Sequence, residues 1–580
     1  MDRKSAVKSA RAGWKKKLSL PLSLLTTITT GCREPADLIV YNADIHTVDS
    51  TVPRATSFAV RDGRFVAVGD SERVVSSFTS DAVLDADGAT VLPGLIDSHG
   101  HLLNEGLMRM NVDLVGTRSF DEIIERLRAR ARELPAGAWL NGRGWDQNDW
   151  EIRRFPVRQD LDEAFPDRPI WIERIDGHAT LVNTAALLEI GLDRVQEMPD
   201  PPGGSIVRDP DGMPTGLFID TAEDLVAEAV PLPCAAGLLD AVRRGNLEAV
   251  RFGLTGVHDP GLKLDTLLVY HEAARSGLLD VRVYAMIRGV GSAFERWCRE
   301  KRPFDDHEKL TVRAVKLYAD GALGSRGAAL LEPYSDDPGN TGLLRKSPDE
   351  LAADVRSIAE CGLQPAVHAI GDRAVRAVLD AYEQLGTLRR DLRPRVEHAQ
   401  IIHPDDVARF GHLGVVAAMQ PTHATSDMYW AEDRLGRERL AGAYAWRSLL
   451  DSGARLAFGS DFPVETVNPI AGFHAAITRQ DSEGWPEEGW LPEQRVTREE
   501  ALRGFTIDAA YAAFMEDDTG SITVGKQGRD SVKVFGSNKD IEISNHRNGN
   551  LKSPIKAANV SDAASSSYRR KVDGEGQFVC

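Results

Sequence analysis

The chain has 580 residues, enough for one large barrel with a smaller second body. Its 42% hydrophobic and 27% charged residues lie near the globular average, which excludes a mainly disordered chain. With 70 Lys and Arg against 87 Asp and Glu, a net charge of -17, the surface field repels phosphate backbones and argues against nucleic acid as a partner.

Residues 1–32 carry Lys4, Lys8, Arg11, Lys15, Lys16 and Lys17, then the apolar run Leu18 to Thr30, then Gly31-Cys32. That order is the order of a secretory signal, and Thr-Thr-Gly-Cys resembles a bacterial lipobox in which Cys32 would be lipidated. Thr29 departs from the usual Leu, and Pro21 interrupts the run. The expectation is a lipid-anchored protein of the bacterial cell envelope, on the periplasmic side, with a cytoplasmic enzyme bearing a loose extension as the alternative. The run is too short to span a membrane as a helix. The five cysteines, Cys32, Cys234, Cys298, Cys361 and Cys580, are far apart and form no CxxC pair, so no disulfide is needed to explain the fold.

From Asp37 short alternating runs, Leu38 to Tyr41, Thr56 to Val60 and Arg64 to Val68, are broken by Asp62-Gly63 and Gly69 and predict hairpins in 37–90. After Val91-Leu-Pro-Gly-Leu-Ile-Asp-Ser-His-Gly-His101, strand-like runs alternate with helical stretches such as Phe120 to Leu134 and Glu350 to Glu360. Such alternation predicts a parallel sheet or barrel over 91–514. The stretch from about 102 to 300 is long for the first strand–helix units, with Gly and Pro clusters at 201–204 and 209–212, and predicts an inserted subdomain. From 515 to 580 the runs Ser521 to Val524 and Ser531 to Phe535 predict strands before a polar tail.

His99-Gly-His101 follows an apolar strand. In extended chain alternate side chains share a face, so two imidazoles one residue apart can converge on one metal ion. Alone the pair has an equally good explanation in core packing. Four later apolar runs also end in ligand-type residues: Ala314-Val-Lys316, Pro365-Ala-Val-His368, Arg395-Val-Glu-His398 and Leu456 to Asp461. In a barrel the C-terminal ends of the strands face one mouth, so all five segments would aim at one spot. Singly, each histidine is more often structural.

The order His-x-His, Lys, His, His, Asp resembles the amidohydrolase superfamily. Gly144-Trp-Asp-Gln147, Asp176-Gly-His178, Thr255 to Asp259, Val315 to Gly321, His368 to Asp372, Glu397-His398, Met419 to His423 and Gly459 to Pro463 resemble its amidohydrolase 3 branch, which contains N-substituted formamide deformylase. The match runs from about 37 to 530. It implies an α/β fold, a (β/α)8 TIM-type barrel with an inserted subdomain and a small β-sandwich built from N- and C-terminal segments. It implies that His99 and His101 bind a buried divalent metal, zinc first among candidates, that His368 and His398 bind a second, that Asp461 touches the first, and that Lys316 bridges both as a carboxylated lysine. Metal-activated water would attack a carbonyl carbon, with Asp461 moving its proton and His178 donating to the carbonyl oxygen.

The resemblance further suggests that Trp145, Asp146, Gln420, His423 and Arg326 contact substrate, with insert core, supporting hydrogen bonds or a solvated loop as their ordinary alternatives. His258 and Asp259 read as a structural pair at the barrel rim. The implied reaction is hydrolysis of a carbon–nitrogen bond in a small-molecule amide, an N-substituted formamide or N-acyl amine, by a homo-oligomer, a dimer first. The rivals are a mononuclear deaminase with unmodified Lys316 and a catalytically silent ligand-binding lipoprotein.

Overall fold

The alternating runs before residue 91 form the hairpins that their spacing predicts. In the computed structural model, which describes residues 33–152, 154–175, 179–201, 204–227, 230–231, 233–300, 307–528, 532–535 and 541–542, strands Ser57–Arg61 and Arg64–Gly69 pair antiparallel. Asp62 and Gly63 join them with φ of 51° and 75°, the left-handed conformation that matches the twist of a tight hairpin. These strands, with Leu38–Tyr41 and Val83–Asp85, make a four-stranded sheet. A second sheet of five strands takes Asp44–His46, Arg54–Ala55 and Thr90–Pro93 from one end of the chain and Val532–Phe535 and Ile541–Glu542 from the other. Val40, Ile45, Phe58, Phe65, Val91 and Ile522 bury their side chains together as a shared core. Ile522 reaches it without being in a strand: Ser521 to Val524, expected as one, is irregular, and the Ile522 N–H donates to Thr47 O at 2.8 Å. Residues 1–32, where a secretory signal ending in Cys32 is expected, and the tail from 543 lie outside the described residues.

Gly94 divides the single apolar run at 91–96. The residues before it belong to the sandwich, and those after it, Leu95–Asp97, form the first barrel strand, β1. A Cβ at Gly94 would sit 2.4 Å from Thr255 Cγ2, so only glycine lets the chain pass from one sheet to the other here. The barrel continues with β2 (Leu254–Leu262), β3 (Arg282–Arg288), β4 (Leu310–Tyr318), β5 (Gln364–Ala369), β6 (Arg395–His398), β7 (Val416–Met419) and β8 (Arg455–Phe458), all neighbours parallel. The seam between β8 and β1 closes through the Ser98 N–H on Phe458 O at 3.0 Å and the Ser460 hydroxyl on Asp97 at 2.7 Å.

Between β1 and β2 a separate six-stranded mixed sheet spans 112–220 around its own core of Ile123, Leu127, Leu140, Ile172 and Leu181. The inserted body therefore ends sooner than the 102–300 expected, because β2 and β3 and the helices Ala235–Arg251 and Leu264–Arg275 belong to the barrel. Helix Leu102–Met108 crosses helix Ala235–Arg251 at glycines: a Cβ at Gly106 would stand 1.7 Å from Ala241 O, and one at Gly245 2.1 Å from Leu102 O. Gly106→Val is expected to destabilise the protein by about 1–3 kcal/mol through overpacking, read as a lower urea midpoint. An unchanged midpoint would show that the helices do not cross this closely.

Cys298 and Cys361, 63 residues apart, form a disulfide with Cα atoms 5.7 Å apart, a pairing that their distance in sequence conceals. No helix among the described residues is long and apolar enough to cross a membrane.

Candidate metal centre

Every strand-end ligand named from the sequence arrives at one place. His99 and His101 follow β1, Lys316 lies in β4, His368 in β5, His398 ends β6 and Asp461 follows β8. Gly100 must be small because a Cβ there would fall 2.3 Å from the Phe462 ring, which packs the β8 loop over the two histidines. His398 and Asp461 take φ of 72° and 62°, left-handed backbone that costs a non-glycine residue roughly 1–3 kcal/mol and that collects at functional sites.

The contacts are short. His101 Nε2 lies 3.0 Å and His99 Nε2 3.6 Å from Asp461 Oδ1, and Lys316 Nζ lies 3.3 Å from His99 Nε2. His398 Nδ1 is 4.0 Å from Asp461 Oδ2, and the His368 and His398 rings stand 4.6 Å apart. His99, Lys316 and His398 are buried, and Asp461 is 8% exposed.

These groups fit a divalent ion. Ligand atoms about 2.0–2.1 Å from a tetrahedral cation lie roughly 3.3 Å from one another, which is the scale of the contacts around Asp461 Oδ1 and His99 Nε2. Ligand atoms of His99, His398 and Asp461 all fall within 4.8 Å of one another. Asp461 Oδ1 and His423 Nε2 are buried without a hydrogen-bond partner, and a lone pair left so is costly unless a cation or ligand takes it.

Electrostatics keep His99, His368 and Asp461 in their ligating forms. Burial drives His99 down to about 4 and His368 to about 3, in each case with help from the Lys316 charge, so both imidazoles are neutral at pH 7. Burial works to raise Asp461, but the His101 imidazole 3.0 Å away and the neighbouring His99 and His398 hold it well below the usual carboxylate range. Burial lowers the Lys316 amine to about 8 against the pull of Glu397 and Asp461. In metal-free protein at acid pH, the unfolded chain protonates these histidines near pH 6.5 and the folded one does so only near 4 and 3. Between those values the unfolded state holds more protons, so stability should fall as pH drops from about 6.5 towards 4. Urea midpoints of chelator-treated protein across that range test this, and a flat profile would contradict it.

The outer positions divide. Gln420 is buried after β7 with Oε1 2.8 Å from His398 Nδ1, which leaves His398 Nε2 for the centre. His423 Nε2 lies 3.9 Å from Asp461 Oδ2, and Gln400 Nε2 holds its Nδ1 at 3.2 Å. Asp259 is buried with Oδ1 3.9 Å from His101 Nδ1, a supporting place in keeping with a structural role.

Trp145 is fully buried in the insert core against Trp150, with its indole N–H on Ile172 O at 3.1 Å. Asp146 pairs with Arg174 at 2.7 Å. Arg326 spends its guanidinium on Asp336 in a two-pronged bridge of 3.1 and 2.8 Å, and Ser325 beside it is exposed. His178 lies outside the described residues.

The residues that sequence reasoning missed lie under the centre. Glu397, part of the Glu397-His398 segment that carries the resemblance but given no role there, is fully buried and accepts from His99 Nδ1, and Arg395 clamps it from the same strand. Asp320, four residues beyond Lys316, accepts from Ala329, Ile370 and Gly371 N–H groups at 2.8–3.0 Å and stands 3.4 Å from His368 Nε2. An acidic residue within or just after a buried strand run was the available signal for both.

The amidohydrolase family profile matches residues 82–528. The protein LONG AFTER FAR-RED 3 of Arabidopsis thaliana is 35% identical over 536 residues, 87% of this chain and 88% of that protein. Amidohydrolase YtcJ of Bacillus subtilis is 34% identical over 83% of this chain and 91% of its own, and N-substituted formamide deformylase of Arthrobacter pascens 29% identical over 85% and 92%. An uncharacterized metal-dependent hydrolase of Pyrococcus furiosus superposes with a TM-score of 0.71 at 27% identity, covering 86% of this chain and 98% of its own. The chain belongs to the amidohydrolase family. Its class is that of hydrolases acting on carbon–nitrogen bonds.

Proposed function

We propose that the chain hydrolyses the carbon–nitrogen bond of a non-peptide amide, with N-substituted formamides and other N-acyl amines as its substrate class. The observation that carries this reading is the unpartnered Asp461 Oδ1, buried 3.0 Å from His101 Nε2 among ligand-type side chains from four other strand ends. The 29% identity to N-substituted formamide deformylase over 92% of that enzyme supports the substrate class. His99, His101 and Asp461 would hold one divalent ion, zinc first among candidates, and His368 and His398 a second, with Lys316 between them as an anionic carbamate. Such ions lower the pKa of water and polarise a carbonyl.

Asp461 accepts the proton of the attacking water and returns it to the leaving nitrogen. Gln420 keeps His398 in one tautomer, and His423 offers Nε2 to the substrate from the β7 side. His178 remains the proposed donor to the carbonyl oxygen. The 3.3 Å contact of an unmodified Lys316 with His99 also suits a mononuclear deaminase, which counting metal per chain and weighing the Lys316 peptide under native conditions would separate.

A lipid anchor at Cys32 in the cell envelope is the proposed location, and the Cys298–Cys361 disulfide supports an oxidising compartment. A screen of N-formyl and N-acyl amines with and without chelator tests the function. Metal-dependent release of amine is the expected result, and activity that survives complete metal removal contradicts it.

A further inference from the structure

Glu397 takes no part in the reaction above, yet its carboxylate lies at the base of the centre. Burying a carboxylate costs several kcal/mol unless another charge and hydrogen bonds compensate. Arg395 supplies both. Residues i and i+2 of a strand share a face, and from that position Arg395 Nε donates to Glu397 Oε1 at 2.7 Å and Nη2 to Oε2 at 3.0 Å. Both side chains are fully buried in the barrel.

The guanidinium also reaches the neighbouring strands. Nη2 donates to Ser98 O at 2.8 Å, one residue before His99, and Nη1 lies 3.0 Å from His258 Nδ1 on β2. Guanidinium has no acceptor, so His258 Nδ1 accepts and its ring is neutral. Arg395 thereby fixes the carboxylate against the strand end that carries His99. Glu397 Oε2, shared between Arg395 and His99 Nδ1, is the one carboxylate oxygen that faces both.

We propose that Glu397, locked by Arg395, is a positioning residue for His99: it keeps the imidazole proton on Nδ1 and aims the Nε2 lone pair at the cation. The inference rests on the metal-centre reading above. Which nitrogen of a histidine is free for a metal is set by the hydrogen bond the other makes. Nε2 of His99 is the atom 3.3 Å from Lys316 Nζ and 3.6 Å from Asp461 Oδ1, so a ring turned over or protonated there would remove a donor from the middle of the cluster. A salt bridge serving only to fill the barrel would have no reason to spend an oxygen on a ligand histidine.

The test compares full-length wild type, Glu397→Ala and Glu397→Gln, each stripped and reloaded with Zn(II) or Co(II). Affinity is read by competition with a chromophoric chelator, ligand geometry by the Co(II) absorption bands, and folding by thermal melts of the metal-free proteins. Glu397→Ala is expected to weaken binding about 10- to 100-fold and to shift the Co(II) bands. Glu397→Gln, which keeps an acceptor of the same shape without the charge, should recover part of both. Lower melting temperature with wild-type affinity and spectrum in both variants would make the pair purely structural and overturn the proposal. Should Glu397→Ala fail to fold, Glu397→Gln alone decides between these results. A wild type that binds no ion would instead overturn the metal centre itself.

Discussion

Asp461→Asn is expected to cut kcat on an N-acyl amine by about 10²–10⁴-fold, the span that a positioned general base contributes. The substitution keeps the shape of the side chain and the backbone bond from Asp461 N–H to His99 O at 2.6 Å, so the fold should survive. What it removes is the carboxylate charge that His101, His99 and His398 hold ionised. Metal content must be measured on the same preparation, since Asp461 is also a proposed ligand. A kcat within about threefold of wild type would fall far short of a general base's contribution and remove Asp461 from the chemistry.

Lys316→Met should be nearly as damaging, for a different reason. The side chain is 1% exposed in β4 and nothing apolar is gained by an amine there, so its presence needs a polar partner. Methionine fills the volume and cannot form a carbamate. Loss of an anionic bridge should lower the metal stoichiometry and slow hydrolysis by at least about a hundredfold, since charge stabilisation of several kcal/mol is at stake.

The amine value gives this reading a pH signature. Only a neutral amine adds carbon dioxide; with the amine at about 8, half of it is neutral at pH 8. At pH 6 the neutral fraction is about one in a hundred. Reconstitution of metal-free protein with zinc and bicarbonate should therefore be faster at pH 8 than at pH 6. Recovery that ignores both bicarbonate and pH would leave Lys316 an ordinary amine.

The parts of the centre legible in the sequence were those carried by short-range pattern. His99 and His101 alternate on one strand end, and Lys316, His368, His398 and Asp461 each close an apolar run; that pattern singled them out, and the resemblance to the amidohydrolase superfamily gave them their roles as ligands. Arg395 and Glu397 sit in the same motif as His398, but their meaning depends on His99, 298 residues away, and no local pattern reports that contact. Trp145 is the opposite case: its motif is conspicuous, a tryptophan at a strand end serves equally well as core or pocket wall, and its full burial in the insert favours core.

The barrel was legible as alternation, whereas the end of the insert was not. Strands β2 and β3 are buried on both faces and lack the period-two signature, so the long stretch after β1 looked like one body. The run at 91–96 likewise hid two strands, because a single glycine is the whole of the boundary.

The most direct test of the account is anomalous diffraction from crystals of the metal-loaded protein at the zinc edge. A peak within about 2.0–2.2 Å of His99 Nε2, His101 Nε2 and an Asp461 oxygen is the expected result, with any second peak against His368 and His398. Fully loaded crystals whose metal lies elsewhere, with these side chains bonded only to one another, would contradict it.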